Sequence, residues 1–163
     1  MYAFDIERPA TIAEAVAAMD DEAQVLSGGQ TLIPTLKARL ASPSKLVSLA
    51  GVAEMKGICM DGNSVSIGGA TTHAEVAAND KYAGLAELAA HIGDPAVRNR
   101  GTIGGSIANN DPAACYPAAA LASGATIVTN SREVAADDFF VGMFETALNE
   151  GEIVTGVKFP IPE

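Results

Sequence analysis

Apolar positions in the first fifty residues alternate over short runs and then recur at intervals of three and four. This change of rhythm happens twice. Residues 2–6 (Tyr-Ala-Phe-Asp-Ile) read as a short strand, ended by Pro9. Thr11 and Glu14 have the spacing of a capping box, which opens a helix over Ala13–Met19. Gln24–Ser27 reads as a second strand that runs straight into Gly28 and Gly29. Thr31–Leu40 is helical in pattern, with Pro34 tolerable in its first turn. Lys45–Leu49 is a third strand. The resulting order, strand-helix-strand-helix-strand, favours a small parallel or mixed sheet.

Gly51–Lys56 reads as a join, and the pattern changes after it. Lys56–Met60 and Ser64–Gly68 flank Asp61-Gly62-Asn63, a hairpin signal. Thr72 and Glu75 repeat the capping-box spacing. Apolar residues at 82, 85, 88, 89 and 92 predict a helix over Tyr82–Ile92. Gly93–Asn110 reads as loop-rich. Pro117–Ser123 reads as a helix closed by Gly124, with Tyr116-Pro117 at its start. Ala125–Thr129 is a strand turned by Asn130-Ser131, and Ile153–Phe159 is a last strand stopped by Pro160 and Pro162. Two units are expected, residues 1–54 and 55–163.

Composition narrows the function classes. Of 163 residues, 48% are hydrophobic and only 18% charged, which argues against disorder. The net charge of −10 argues against binding to nucleic acid or anionic membranes, both of which reward a lysine and arginine surplus. Cys59 and Cys115 are too few for a disulfide scaffold or a cysteine-held iron–sulfur cluster. His73 and His91 have no zinc spacing, so no metal ligand is expected. No apolar run is long enough to span a membrane, and the N-terminus lacks signal-peptide features, so a cytoplasmic location is expected. No nucleophile–base pair or carboxylate dyad stands out, and no catalytic side chain is assigned.

Two glycine segments carry the candidate chemistry. In Leu26-Ser27-Gly28-Gly29-Gln30-Thr31-Leu32-Ile33 a strand meets a helix, where backbone N–H groups and the helix dipole suit a phosphate. Arg98-Asn-Arg-Gly-Thr102-Ile-Gly104-Gly105-Ser106 again sets adjacent glycines beside small hydroxyls. Neither is a Rossmann G-x-G-x-x-G or a P-loop. Each alone is weak and reads equally as a tight turn; together they could close on one diphosphate. Arg98 and Arg100 either offset that charge or pair with carboxylates. His73 reads as a cap or packing residue, His91 as a surface or lobe-packing residue, and Cys115 as a small buried residue.

The segments 26–34, 67–76, 94–114 and 139–154 resemble, in order, the FAD-binding medium subunits of molybdenum hydroxylases. Those of aerobic-type carbon monoxide dehydrogenases are nearest, and the xanthine dehydrogenase FAD domain is more distant. The resemblance implies an α+β, two-lobed FAD-binding fold of the vanillyl-alcohol-oxidase/PCMH type. A small βαβ lobe precedes a larger lobe with a mixed or antiparallel sheet, and the usual C-terminal subdomain is absent. It implies FAD held by Leu26, Ser27, Gly28, Gly29, Gln30, Thr31, Leu32 and Ile33, and by Thr102, Gly104, Gly105 and Ser106. Ile92 and Val154 fall at apolar flavin contacts, Asp111 in a supporting turn, and Cys115 where the family often has aspartate. It further implies electron transfer from an iron–sulfur small subunit, with a molybdopterin large subunit as second partner. Two rival expectations are a subunit remnant that docks without FAD and a stand-alone flavin reductase of the same fold.

Overall fold

The computed structural model describes residues 1–162; Glu163, the end of the second expected unit, lies outside them. The chain begins with β1 (Asp5–Glu7), α1 (Ile12–Ala17), β2 (Ala23–Leu26), α2 (Leu32–Lys37) and β3 (Lys45–Ser48). The three strands form a parallel sheet in the order β1-β3-β2, with Leu46 beside Ile6 and Gln24. Strand β1 starts three residues later than the alternation suggests. Thr11 caps α1 through the Glu14 N–H at 3.1 Å. The Glu14 carboxylate reaches back one residue further than in a standard box, to the Ala10 N–H at 2.8 Å. Pro34 lies in the first turn of α2, where its missing N–H costs nothing. That helix stops at Lys37, short of the expected Leu40. Arg39 turns left-handed (φ 60), and the Leu40 N–H bonds the Thr35 carbonyl at 3.1 Å. This is a Schellman closure made without glycine.

Two 3-10 turns, Leu49–Gly51 and Ala53–Met55, replace the expected join. They are a packed seam: Val52 and Met55 are buried with Ala15, Val47, Leu49, Ala70 and Ile153. Next come β4 (Ile58–Asp61) and β5 (Ser64–Gly68). Their turn pair is Gly62-Asn63, because Asp61 is already paired with Ser64; Gly62 supplies the positive φ of 62°. Helix α3 (His73–Ala77) has a full reciprocal capping box. The Thr72 N–H and hydroxyl each reach Glu75 Oε2 at 2.7 Å, and the Glu75 N–H reaches Thr72 Oγ1 at 3.3 Å. Thr72→Ala is expected to lower stability by about 1 kcal/mol, read in urea unfolding.

Helix α4 (Ala83–Ala90) follows the predicted spacing. The next segment corrects the sequence reading. Residues 93–110 are not simply loop but contain α5 (Pro95–Arg98) and α6 (Ile103–Asn109). Glycines at 104 and 105 lower helix propensity. Burial of Ile103 and Ile107 in the main core outweighs that cost, and Thr102 caps the Gly105 N–H at 3.2 Å. The remaining elements are α7 (Cys115–Ser123), β6 (Thr126–Thr129), β7 (Glu133–Ala135), α8 (Ala136–Phe139), β8 (Phe140–Gly142), β9 (Glu145–Thr146) and β10 (Val154–Pro160). Gly124 ends α7 at φ 63.

The second sheet runs β4-β5-β10-β6-β7 with every pair antiparallel. Its central strand is the last one in sequence. Helices α6 and α7 pack on this sheet around Tyr116, Phe139, Phe159, Ile107 and Ile127. The Glu152 carboxylate, with its side chain 3% exposed, ties the residues before β10 to the β6–β7 turn. It accepts from Arg132 Nε and Nη2, both at 2.9 Å, and from Thr129 Oγ1 at 2.6 Å. These donors, Arg132 first, hold its carboxyl well below the usual range. Among the described residues no helix is long and apolar enough to cross a membrane.

Candidate functional site

The two glycine segments, remote in sequence, meet in space. The Ser27 and Thr102 hydroxyls are hydrogen-bonded at 2.7 Å across 75 residues of chain. Beside them the backbones touch: a Cβ on Gly28 would lie 2.2 Å from the Arg100 carbonyl oxygen and 2.7 Å from Gly101 Cα. Only glycine permits that approach. Gly29 is left-handed at φ 73, which turns the chain from β2 into α2.

The segments contribute different chemistry. In the second, the first N–H groups of α6 are already used. Ile103 donates to the Thr71 carbonyl at 3.1 Å and Gly104 to the Gly69 carbonyl at 2.9 Å. In the first, the N–H groups of Gly28, Gly29, Gln30 and Thr31 donate to no acceptor among the described residues. The open main-chain donors for an anion are therefore on the β2–α2 loop, and the second segment supplies the platform against which that loop is held.

A cleft of about 360 Å³ reaches Ser27, Gly28 and Thr102. Lys56 and Arg100 bring two cations to its lining and Glu75 one carboxylate, which Thr72 engages. Sequence reading did not single out Lys56, which carries no motif and comes to the cleft through the packed seam before β4. Of the two arginines left open above, neither pairs with a carboxylate among the described residues. Arg98 donates to the carbonyls of Ile92 (3.1 Å) and Gly93 (2.8 Å), closing its own turn. Arg100 stays exposed at the cleft.

The other anticipated residues are spread along α6 and the core. Leu26, Leu32 and Ile33 are half-buried around the first loop, and Gln30 and Thr31 are exposed. Gly104 is buried, while Gly105 and Ser106 are half-buried on α6. Asp111 follows the far end of α6 and accepts the Ala113 N–H at 2.8 Å. Cys115 opens α7 half-buried, not fully buried as expected. Ile92 packs against the main core and Val154 is 4% exposed within it. None of these last four joins the Ser27–Thr102 contact. His91 is exposed at the end of α4, beside Glu87.

His73 braces the second segment from behind. Its main-chain N–H donates to the Gly101 carbonyl at 2.9 Å, and a Cβ on Gly101 would lie 2.5 Å from its ring Nε2. The Tyr116 ring packs on the imidazole at 5.3 Å. Burial pushes His73 down from 6.5 to about 4 and pushes the Tyr116 hydroxyl up. His73 Nδ1 and Tyr116 Oη are buried without partners. Because its folded value is depressed, His73 leaves stability intact above pH 6.5. Stability then falls as the unfolded chain takes up the proton first. Between pH 6.5 and 5 the expected loss from this group is about 2 kcal/mol. Urea unfolding across that range should show a shallower pH dependence for His73→Gln than for the parent.

Comparison with known proteins gives a consistent picture. Residues 2–162 match the family described as the FAD binding domain in molybdopterin dehydrogenase. The carbon monoxide dehydrogenase medium chain of Afipia carboxidovorans is 39% identical over 170 residues, covering 98% of this chain and 59% of that one. The glyceraldehyde dehydrogenase medium chain of Sulfolobus acidocaldarius is 39% identical over 168 residues, covering 97% and 60%. A solved structure of carbon monoxide dehydrogenase from Hydrogenophaga pseudoflava, lacking the Mo-pyranopterin moiety, superposes with a TM-score of 0.95. It is 36% identical and covers 99% of this chain and 60% of that one. The chain thus spans about three-fifths of the length of these relatives.

Proposed function

Because this chain belongs to the family of FAD-binding domains in molybdopterin dehydrogenases, we propose that it binds FAD at the junction of its two glycine segments. We propose further that it serves as the electron-transfer subunit, or part of it, of a molybdenum-containing hydroxylase or dehydrogenase. The proposed partners are an iron–sulfur small subunit and a molybdopterin large subunit, in keeping with relatives named as medium chains. The observation that carries the reading is the 2.7 Å contact between Ser27 and Thr102, which assembles one site from two remote loops.

The residues fit the cofactor. The unpaired N–H groups of Gly28–Thr31 would hold the diphosphate, and the Ser27 and Thr102 hydroxyls would fix the loop that carries them. Gly105 and Ser106 would border the cofactor on the exposed side of α6. Ile92 and Val154 would give the flavin apolar support, and Asp111 and Cys115 would bound the far end of α6. When bound, FAD supplies the redox chemistry; the chain's part is to bind, orient and shield it. This division of labour agrees with the absence of an assigned acid–base side chain.

The test is a titration of the flavin-free chain with FAD, followed by flavin and tyrosine fluorescence and by absorbance. Near-stoichiometric binding is expected. A folded chain that takes up no FAD would overturn the reading and favour the docking remnant.

A further inference from the structure

The chain carries 20 acidic against 10 basic side chains, and among the described residues four of the ten are paired with carboxylates. Lys45 is paired with Glu7 and Asp20, Lys81 with Asp80, Arg132 with Glu152, and Lys158 with Glu133. Arg98 is engaged by carbonyl groups, and Arg39 lies over the Tyr2 ring at 5.5 Å. Arg8, Lys37, Lys56 and Arg100 have no ion-pair partner among the described residues, and of these four Lys56 and Arg100 line the same cleft. They come from different parts of the chain, Lys56 from the seam before β4 and Arg100 from the turn between α5 and α6. Lys56 Nζ is anchored by the Ala50 carbonyl at 2.7 Å, which leaves two of its protons free. Arg100 makes no side-chain hydrogen bond among the described residues. The one carboxylate of the cleft, Glu75, is held at α3 by Thr72; those bonds, with Lys56 a smaller contributor, lower its pKa.

Resting on the FAD reading, we infer that Lys56 and Arg100 are the charge partners of the cofactor's diphosphate and make the site selective for the dinucleotide over unphosphorylated flavin. The open N–H groups of Gly28–Thr31 supply partial charges only. A diphosphate carries full negative charge and would otherwise enter a protein of net charge −10. Two full positive charges at the loop junction offset that repulsion, by an amount that added salt reduces.

The experiment titrates the full flavin-free chain with FAD, riboflavin and ADP at low and high salt. It compares the parent with Lys56→Met, Arg100→Met, the double variant and Lys56→Arg. Both positions are exposed, so the fold is expected to survive, as melting curves will verify. The double variant is expected to weaken FAD binding about tenfold or more and to flatten its salt dependence. Riboflavin binding should stay within about twofold of the parent, and Lys56→Arg should retain FAD affinity. Unchanged FAD affinity and salt dependence in the double variant would overturn this inference while leaving the FAD reading intact. A parent that binds ADP but not FAD, with ADP lost in the double variant, would support the anion site and sink the FAD reading. Binding of none of the three by the parent would overturn both.

Discussion

Gly28→Ala is expected to cut FAD affinity on the order of a hundredfold, the loss of about two main-chain hydrogen bonds to the charged diphosphate. The new Cβ would sit 2.2 Å from the Arg100 carbonyl oxygen and 2.8 Å from its carbon, and neither backbone atom can swing aside as a side-chain end would. The loops must separate. With them goes the Ser27–Thr102 hydroxyl contact, and the N–H groups of Gly28–Thr31 lose their fixed direction. Ser27→Ala is the milder companion: it deletes one hydrogen bond and leaves the backbones in contact, so its loss should be near fivefold. Fluorescence titration with FAD measures both. Equal affinities for Gly28→Ala and the parent would mean that the junction does not shape the site.

Gly104→Ala is expected to act on the fold itself. Its Cβ would lie 2.6 Å from the Gly69 oxygen and 2.8 Å from Gly69 Cα, both main chain, at a place where α6 is pinned by the Gly104 N–H to Gly69. Gly69 cannot retreat, because a Cβ there would itself come within 2.4 Å of the Val154 carbonyl oxygen, so β10 is packed directly behind it. A clash of backbone on backbone in a close-packed core costs about 3 kcal/mol or more. For a chain of this size that corresponds to a fall in melting temperature of roughly 6–12 °C. Gly105→Ala, whose Cβ meets the Thr102 hydroxyl at 3.0 Å on the half-buried side of α6, should melt within a few degrees of the parent. A melting temperature for Gly104→Ala equal to that of the parent would show that α6 can shift freely against β10.

Adjacent glycines at 104 and 105 look alike in the sequence, yet their surroundings differ. One is buried against Gly69 and the other is half-buried beside Ser27. Local chemistry that acts within a few residues was legible. The Thr72–Glu75 box, the Gly124 cap and the turn of the β4–β5 hairpin each depend on neighbours in the chain, and each formed where the pattern placed it, to within a residue. Helix α6 was not legible, because its stability comes from Ile103 and Ile107 meeting a sheet whose central strand lies some fifty residues onward. Lys56 was invisible for the same reason: nothing around it in the chain marks a binding residue, and only the seam between the sheets brings it to the cleft.

By itself, then, the sequence determined the short-range elements, the two glycine segments and the family to which they belong. These follow from residue types at fixed spacings: glycine for close approach, threonine and glutamate for caps, alternating β-branched residues for strands. Tertiary structure alone decided that Ser27 meets Thr102, that α6 spends its N–H groups on Thr71 and Gly69, and that the open donors remain on the β2–α2 loop. Those outcomes depend on where β10 inserts between β5 and β6. That insertion pairs residues far apart in the chain, and the free energy that selects it comes from burying one shared core rather than from any local pattern.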